Sequence, residues 1–173
     1  MTHQQIAYDA IHNNVNHIPR HGSTPFAVGG YINGAILSFH WNDADWAKFP
    51  DSYHIRINVT GDPERGDALD VEPGDATPDL VQRWIETRGK QTTKPLLVYC
   101  NRSNLDACIR ARDAAEKRTG VYAFMWCATL DGTITDRAMT QFTQTMVNGT
   151  AVTDVSLITD VRLIKAMSAH IGK

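Results

Sequence analysis

Asp70 and Glu72 stand two residues apart at the end of the apolar run ALDVE, directly before Pro73 and Gly74. In a strand, residues i and i+2 project to the same face. The two carboxylates therefore point together, roughly 6–7 Å apart along a backbone that rises about 3.3 Å per residue. An acid held in an apolar strand is costly unless it is paired, hydrogen-bonded or put to use. Two solvated acids at an exposed strand end are the bland reading of an isolated D-x-E. Here Pro73 and Gly74 end the strand at once, so Glu72 sits at a rim that a substrate could reach. The chemistry this pairing suits is glycoside hydrolysis. One carboxyl keeps a proton for the leaving oxygen while the other stays ionised beside the sugar.

Other side chains offer less. His12, His17 and His21 flank a polar stretch after the first segment, but their spacing promises no tetrahedral metal site. Ser23, Ser38, Ser52, Ser103 and Ser156 lie in no G-x-S-x-G elbow. Cys100, Cys108 and Cys127 form an odd set without metal-ligand spacing, and they read as buried free thiols rather than a disulfide framework. Trp41, Trp46 and Trp84 read as core; Trp126 closes a strand and could stack on a sugar. No metal or cofactor is expected.

The chain has 173 residues, of which 42% are hydrophobic, and a formal net charge of −2. That length supports one domain with a sizeable core. The charge balance gives no electrostatic footprint for nucleic acid or an acidic membrane. The opening MTHQQIAYDAIHNNVNH has no apolar core of signal-peptide length, and no run approaches a membrane span. The expectation is synthesis in the cytoplasm, with any extracellular action requiring release by another route.

Strands and helices must hold the acids in place. Ile6, Ala7, Ala10, Ile11 and Val15 recur at helical spacing, which predicts a short amphipathic helix over 4–15, with a polar linker to residue 24. PFAVGGYI reads as a buried strand whose Gly29 and Gly30 admit a close neighbour. NDADWAKFP is a short helix capped by Asn42 or Asp43 and stopped by Pro50. SYHIRINV and ALDVE are strands. Thr77, Pro78, Arg88 and Gly89 punctuate a helix whose inner face is Leu80, Val81, Trp84 and Ile85. PLLVYC is a strand, NLDACIRARDAAEKRTG a helix, and VYAFMWCAT a strand. AMTQFTQT and TAVTDVSLI are shorter strands joined at Asn148-Gly149, and residues 159–171 close with a helix. This alternation predicts a mainly parallel sheet with helices outside it. GGYING is not a phosphate-binding loop, which argues against an open doubly wound sheet. The alternative is a β/α barrel of the triosephosphate-isomerase (TIM) type, whose chemistry sits at the carboxyl ends of its strands. Tyr31, Asn33, Asp70, Glu72, Tyr99, Asn101, Trp126, Gln141 and Asp154 all occupy such ends.

The segment ALDVEPGDATPDLVQRWIETRG, followed by PLLVYCN, resembles the central region of glycoside hydrolase family 25, the Chalaropsis-type lysozymes, and of their shorter actinobacterial and actinophage relatives. AFMWCAT, TQFTQ and TDVS follow in the family's order. The resemblance implies that Glu72 is the proton donor and that Asp70 supports the reacting acetamido group. It implies that Asp154 is the acid on the last strand, and that Tyr99 and Trp126 line the groove. Gln141 matches the family's Q-Y pattern, with Phe142 in place of Tyr. The family's first strand ends in an Asp, and GGYING departs from this by offering Asn33 at the aligned position. The short path from HIRINV to ALDVE leaves open a barrel that is complete or short of strands.

The sequence thus predicts an N-terminal helix and linker over 1–24 packed on a β/α barrel over 25–173. The barrel is read as a peptidoglycan-directed lysozyme of phage or prophage type, virion-associated or released at host lysis. Its catalytic candidates are Glu72, Asp70 and Asp154, and its binding candidates are Tyr31, Asn33, Tyr99, Asn101, Trp126 and Gln141. The partner is a carbohydrate polymer, with neither nucleic acid nor membrane. The alternatives are a degenerate barrel that binds cell wall without turnover, and a structural or host-interaction protein on the same fold.

Overall fold

The computed structural model describes residues 4–20 and 24–172. Met1 to His3, His21 to Ser23 and Lys173 therefore lie outside the described residues. Eight strands follow one another around a closed barrel: β1 (Gln5–Ala10), β2 (Ala27–Tyr31), β3 (Tyr53–Asn58), β4 (Ala68–Val71), β5 (Leu96–Asn101), β6 (Ala123–Ala128), β7 (Met139–Val147) and β8 (Thr150–Ile158). Strands β1 to β7 are parallel to their neighbours, whereas β8 is antiparallel to both β7 and β1. The barrel is therefore mixed. The reversal comes from the turn at Asn148 (φ +50°) and Gly149 (φ +80°), the left-handed pair that a tight β-hairpin needs.

The first segment differs from the expected helix. Residues 5–10 form β1, and a 3-10 turn follows over His12–His17. The apolar spacing fits either structure locally. Pairing decides it: Ala7 and Asp9 face inward and the backbone bonds to β2 on one side and β8 on the other. A strand with two partners satisfies its backbone groups along both edges, and tertiary pairing overrides local periodicity. The boundary expected near residue 24 consequently does not separate a packed-on helix from the barrel. Nor is the barrel short of strands. The economy lies in the connections, since only the four-residue helix α1 (Asp43–Trp46) and a three-residue 3-10 turn separate β2 from β3.

Three apolar clusters organise the packing. The barrel interior is filled by Tyr53, Ile55, Ile57, Leu97, Phe124, Met139 and Ile158. Leu163 and Met167 of α4 (Val161–Ser168) join this cluster. Outside the sheet, α2 (Pro78–Arg88) and α3 (Leu105–Thr119) cover Leu69, Val71, Val98 and Met125. Val81, Trp84 and Ile85 of α2 are buried there, while Leu80 is partly buried. The indole N–H of Trp84 donates to the Arg65 carbonyl at 2.9 Å. Thr77 occupies the cap position of α2 without a side-chain cap bond, whereas Asn42 caps α1 in a reciprocal capping box with Asp45. The third cluster packs Val28, Trp41 and Phe49 beneath the first 3-10 turn.

The two glycines of β2 serve different neighbours. A Cβ on Gly29 would come within 2.7 Å of the Asp9 Cβ, and one on Gly30 within 2.3 Å of the Trp41 ring. Gly29 thus makes room for an acid inside the barrel and Gly30 for an indole outside it.

Trp84→Ala should destabilise the chain by about 3–5 kcal/mol, the usual range for truncating a buried large aromatic. Urea titration of the two proteins measures this. A loss below about 1 kcal/mol would show that α2 does not depend on the indole.

Candidate active site

Alternation along each strand selects the side chains that reach the carboxyl end of the barrel. Strand β1 contributes Asp9, β4 contributes Asp70 with Glu72 just beyond it, and β8 contributes Asp154. Register sets their neighbours. Asp9 lies opposite Asp154 across the β1–β8 junction, Asp70 beside Tyr99, and Tyr99 beside Trp126. The fields of Asp70, Glu72 and Asp154 all act on Asp9, so the acids occupy one cluster. The first strand therefore does end in an acid. That residue is Asp9, not the residue at position 33, because β1 lies one strand earlier than PFAVGGYI.

The environment of these acids is unusual. Asp9 is 4% exposed and Asp70 3%, while Glu72 and Asp154 are half-buried. Among the described residues none of the four has an ion-pair partner. Burial is the first cause that raises the pKa of Asp9, and repulsion from Asp154 and Asp70 adds to it. Asp70 is pushed well up by burial and then by Glu72. One oxygen of each of these two carboxyls has no hydrogen-bond partner. Neither Tyr99 nor Asn33 relieves Asp70, since Asn33 is spent on Asn58, Thr60 and Val59. Tyr99 is hydrogen-bonded to Glu72, which offsets part of the upward shift that burial imposes on that acid.

Asp154 is raised by burial but has the best set of donors. The side-chain amide of Gln144 donates to Asp154 Oδ1 at 2.6 Å, and the neighbouring Asp9 and Gln141 side chains also offset part of the upward shift. Gln144 reaches this position through a β-bulge. Register shifts between Gln141 and Thr143, which brings Gln144 opposite Asp154. Sequence reasoning missed both Asp9 and Gln144. The first was hidden by the helical reading of 4–15; the second has no signal in a strand counted strictly by twos.

The remaining candidates divide. Tyr31 stands at the rim, where burial and then Asp9 raise its pKa. Gln141 is buried against Asp154. Asn33 instead ties β2 to the chain after β3: it donates to Asn58 at 2.8 Å and Thr60 at 2.9 Å, and accepts from the Val59 N–H at 2.9 Å. Asn101 accepts from the Ser103 hydroxyl and the Asn104 N–H, which orders the turn into α3. Trp126 is buried beneath the rim, edge-on to Tyr99, and its indole donates to Ser156 at 3.0 Å. It presents no face on which a sugar could stack.

Two adjoining cavities open at this end. One of about 270 Å³ is lined by Asp9, Asp154, Gln144, Thr153 and Tyr31, and the second, about 340 Å³, extends from Tyr31 towards Gly74. Among the described residues no group of three or more His, Cys, Asp or Glu side chains is arranged to hold a metal ion. His12 is bound to Asp45, at 2.5 Å. The arrangement can hold and move protons, with Glu72 and Asp154 half-buried at the mouth and Asp9 and Asp70 sheltered from water.

No family model matches the chain, and no curated protein matches it in sequence. Solved structures do share its architecture. An uncharacterised protein of B. stearothermophilus superposes with a TM-score of 0.61 at 13% identity, over 92% of this chain and 97% of that one. The CTP1L endolysin gives 0.58 at 18% identity, over 95% and 70%. GHIP, a glycosyl hydrolase 25 of Streptococcus pneumoniae described as a virulence factor in host cell invasion, gives 0.56 at 12% identity, over 96% and 92%. The chain has the barrel fold of the glycoside hydrolase 25 lysozymes, the fold that the sequence resemblance implies.

The raised acids have a consequence for stability. Folded Asp9 and Asp70 titrate above the ordinary value of about 3.9. Between that pH and the folded pKa the native chain holds protons that the unfolded chain has released. Stability therefore falls as pH rises through the folded pKa, and the loss is absent below the unfolded one. Asp9→Asn should raise the thermal midpoint at pH 7 and leave it little changed at pH 3. Scanning calorimetry at both pH values is the measurement; a lower midpoint at pH 7 would contradict the buried, unpaired state of Asp9.

Proposed function

We propose that this chain is a peptidoglycan-directed glycoside hydrolase of the lysozyme type, working in a phage or prophage setting. The observation that carries the reading is the gathering of four acids, with no cationic partner among the described residues, at the open end of the barrel. A purely structural role would favour pairing these acids or exposing them. Likeness of fold to an endolysin and a glycosyl hydrolase 25 supports a cell-wall substrate.

Glu72 is the general acid and later the base. It is the most accessible acid of β4, burial raises its pKa, and Tyr99 orients it through a hydrogen bond. A carboxyl whose pKa is raised can give a proton to a leaving oxygen and, once ionised, take one from water. The substrate's own acetamido oxygen attacks the anomeric carbon, so no enzyme nucleophile is needed. Asp154, held by Gln144 and Gln141, is the acid best able to stay ionised and orient that acetamido N–H. Asp70 and Asp9 sit deeper. As buried acids they keep protons and donate hydrogen bonds within the cluster, which spares Asp154 their repulsion.

Glu72→Gln keeps the shape and removes the proton, so clearing of a cell-wall suspension should slow by roughly 10²-fold or more. A wild-type protein that sediments with cell walls yet never clears them would make this a binding module instead. The Gln144 contact gives a sharper test. Its N–H stabilises the Asp154 anion, so Gln144→Leu should raise the Asp154 pKa and move the acidic limb of the kcat/KM profile to higher pH. An unmoved limb would exclude Asp154 as the ionised partner.

A further inference from the structure

The amino end of the barrel, opposite the four acids, carries the reverse charge. One cavity of about 470 Å³ lies at the start of β3, lined by Asp51, Tyr53, His54, Arg56, Lys94 and His170. A second, of about 540 Å³, lies between the end of α2 and the start of β5 and includes Lys90 and Thr92. The two share Lys94 and His170, so one extended ligand can cross both. The helical shell is thin here. Among the described residues no helix separates β3 from β4. Tyr53, Ile55 and Ile57 fill the interior, so alternation turns His54 and Arg56 to the outside. Three cations, Arg56, Lys90 and Lys94, therefore line the joined cavities against one acid, Asp51. Arg56 and Lys90 are exposed and have no ion-pair partner among the described residues. Asp43 and Glu64 share a recess with Arg56 on its other side without coming within ion-pair distance. Lys94 is held in place, its ammonium 5.6 Å from the centre of the Tyr53 ring and 3.5 Å from buried Asp67. Arg88 also faces Asp67, at 3.8 Å, so this group keeps a surplus positive charge.

We propose that the joined cavities bind the phosphate groups of a polyol-phosphate polymer of the cell wall, with Arg56, Lys90 and Lys94 as the charge partners. The identity of the polymer rests on the hydrolase reading above; the preference for a phosphate anion rests on the cations themselves. A guanidinium and an ammonium without carboxylate partners are suited to phosphate oxygens. The acids at the mouth repel a polyanion, so the polymer is held at the base and the groove stays clear for the glycan. Neither cavity is lined by any of the large apolar side chains exposed on the described surface, which leaves no wedge for a membrane. Tyr53 is 1% exposed and the His54 ring packs against Trp46, so neither offers an open face on which a nucleobase could stack.

The test is titration calorimetry of the full chain with a soluble glycerol-phosphate oligomer. The oligomer should bind, and added salt should weaken it. Arg56→Gln combined with Lys90→Gln should weaken binding about tenfold, the loss of two solvent-screened charge contacts. Arg110→Gln combined with Lys117→Gln removes the same charge from α3 and should stay close to wild type. All four side chains are exposed, so matching thermal midpoints are expected and check the fold. Absence of oligomer binding, an equal loss in the two double variants, or tighter binding of single-stranded DNA of equal length or of anionic phospholipid vesicles overturns the proposal. Each of these leaves the hydrolase reading standing, because that reading is measured separately, by clearing of walls stripped of phosphate polymer and its dependence on Glu72. Stripped walls that the wild type never clears, beside an oligomer that binds as expected, overturn the hydrolase reading and keep the phosphate site.

Discussion

Strand β8 runs against β1, and the pairing of Asp154 with Asp9 across that junction is where closure of the barrel and assembly of the acids become the same event. Only when the two ends of the chain meet do the carboxyls of β1, β4 and β8 share one space. The junction also fixes which residues face inward, because a one-residue slip of β1 would turn Asp9 outward and part it from Asp154. Register is secured by the rest of the strand. Ala7 and Ile158 fill the interior below the acids, and small side chains at Ala7, Ala27 and Ala68 leave room for Tyr53, Phe124 and Met139. Gly29 then admits Asp9 where any side chain would collide with it.

That arrangement divides the barrel by polarity. Apolar packing, with Leu163 and Met167 from α4, fills the interior below the mouth. At the open end the inward positions pass from Ala7 to Asp9, from Ala68 to Asp70, and from Leu97 to Tyr99. Unpaired buried acids destabilise the native state, and the surrounding closed sheet must hold them against repulsion. Hydrogen bonding does not relieve the four acids equally. Asp154 receives amide donors, Glu72 a phenol, and one oxygen of Asp70 none. An environment that separates the titration of neighbouring acids is what acid–base chemistry needs.

Much of the scaffold was legible in the sequence because it is written in local signals. Pro78, Gly89 and the Val81–Trp84–Ile85 face define α2, and Gly120 at φ +71° ends α3 where the pattern stops. Asn148-Gly149 marks the hairpin, and the D-x-E identifies two acids by strand alternation alone. What failed depended on distant partners. Residues 5–10 carry a pattern compatible with a helix, and only β2 and β8, from far along the chain, make them a strand. Losing that strand hid Asp9 and shifted the expected first-strand acid onto Asn33. Trp126 and Asn101 were correctly placed near strand ends, but a strand end does not reveal whether a side chain points over the groove, under it or back into a turn. Gln144 depends on one extra residue in a ladder, which alternation by twos cannot see.

The bulge at Phe142 links these scales. Without it, continued alternation from Gln141 would put Thr143 on the inner face and turn Gln144 outward. With it, the two glutamines of one strand, three positions apart, both reach Asp154. The strand loses one regular step of its ladder at this point, and the acid at the chain's closure gains the Gln144 amide as a donor. Beyond the bulge the strand continues to Val147 and returns through Ala151, Val152 and Thr153, which wall the smaller cavity beside Asp9. One irregular residue therefore brings to Asp154 a donor that opposes the effect of burial, while the hairpin above it forms a side of the groove. This coupling explains why β8 must be antiparallel. A parallel last strand would need a helical crossover outside the barrel, and no hairpin would rise over the acids to build that wall.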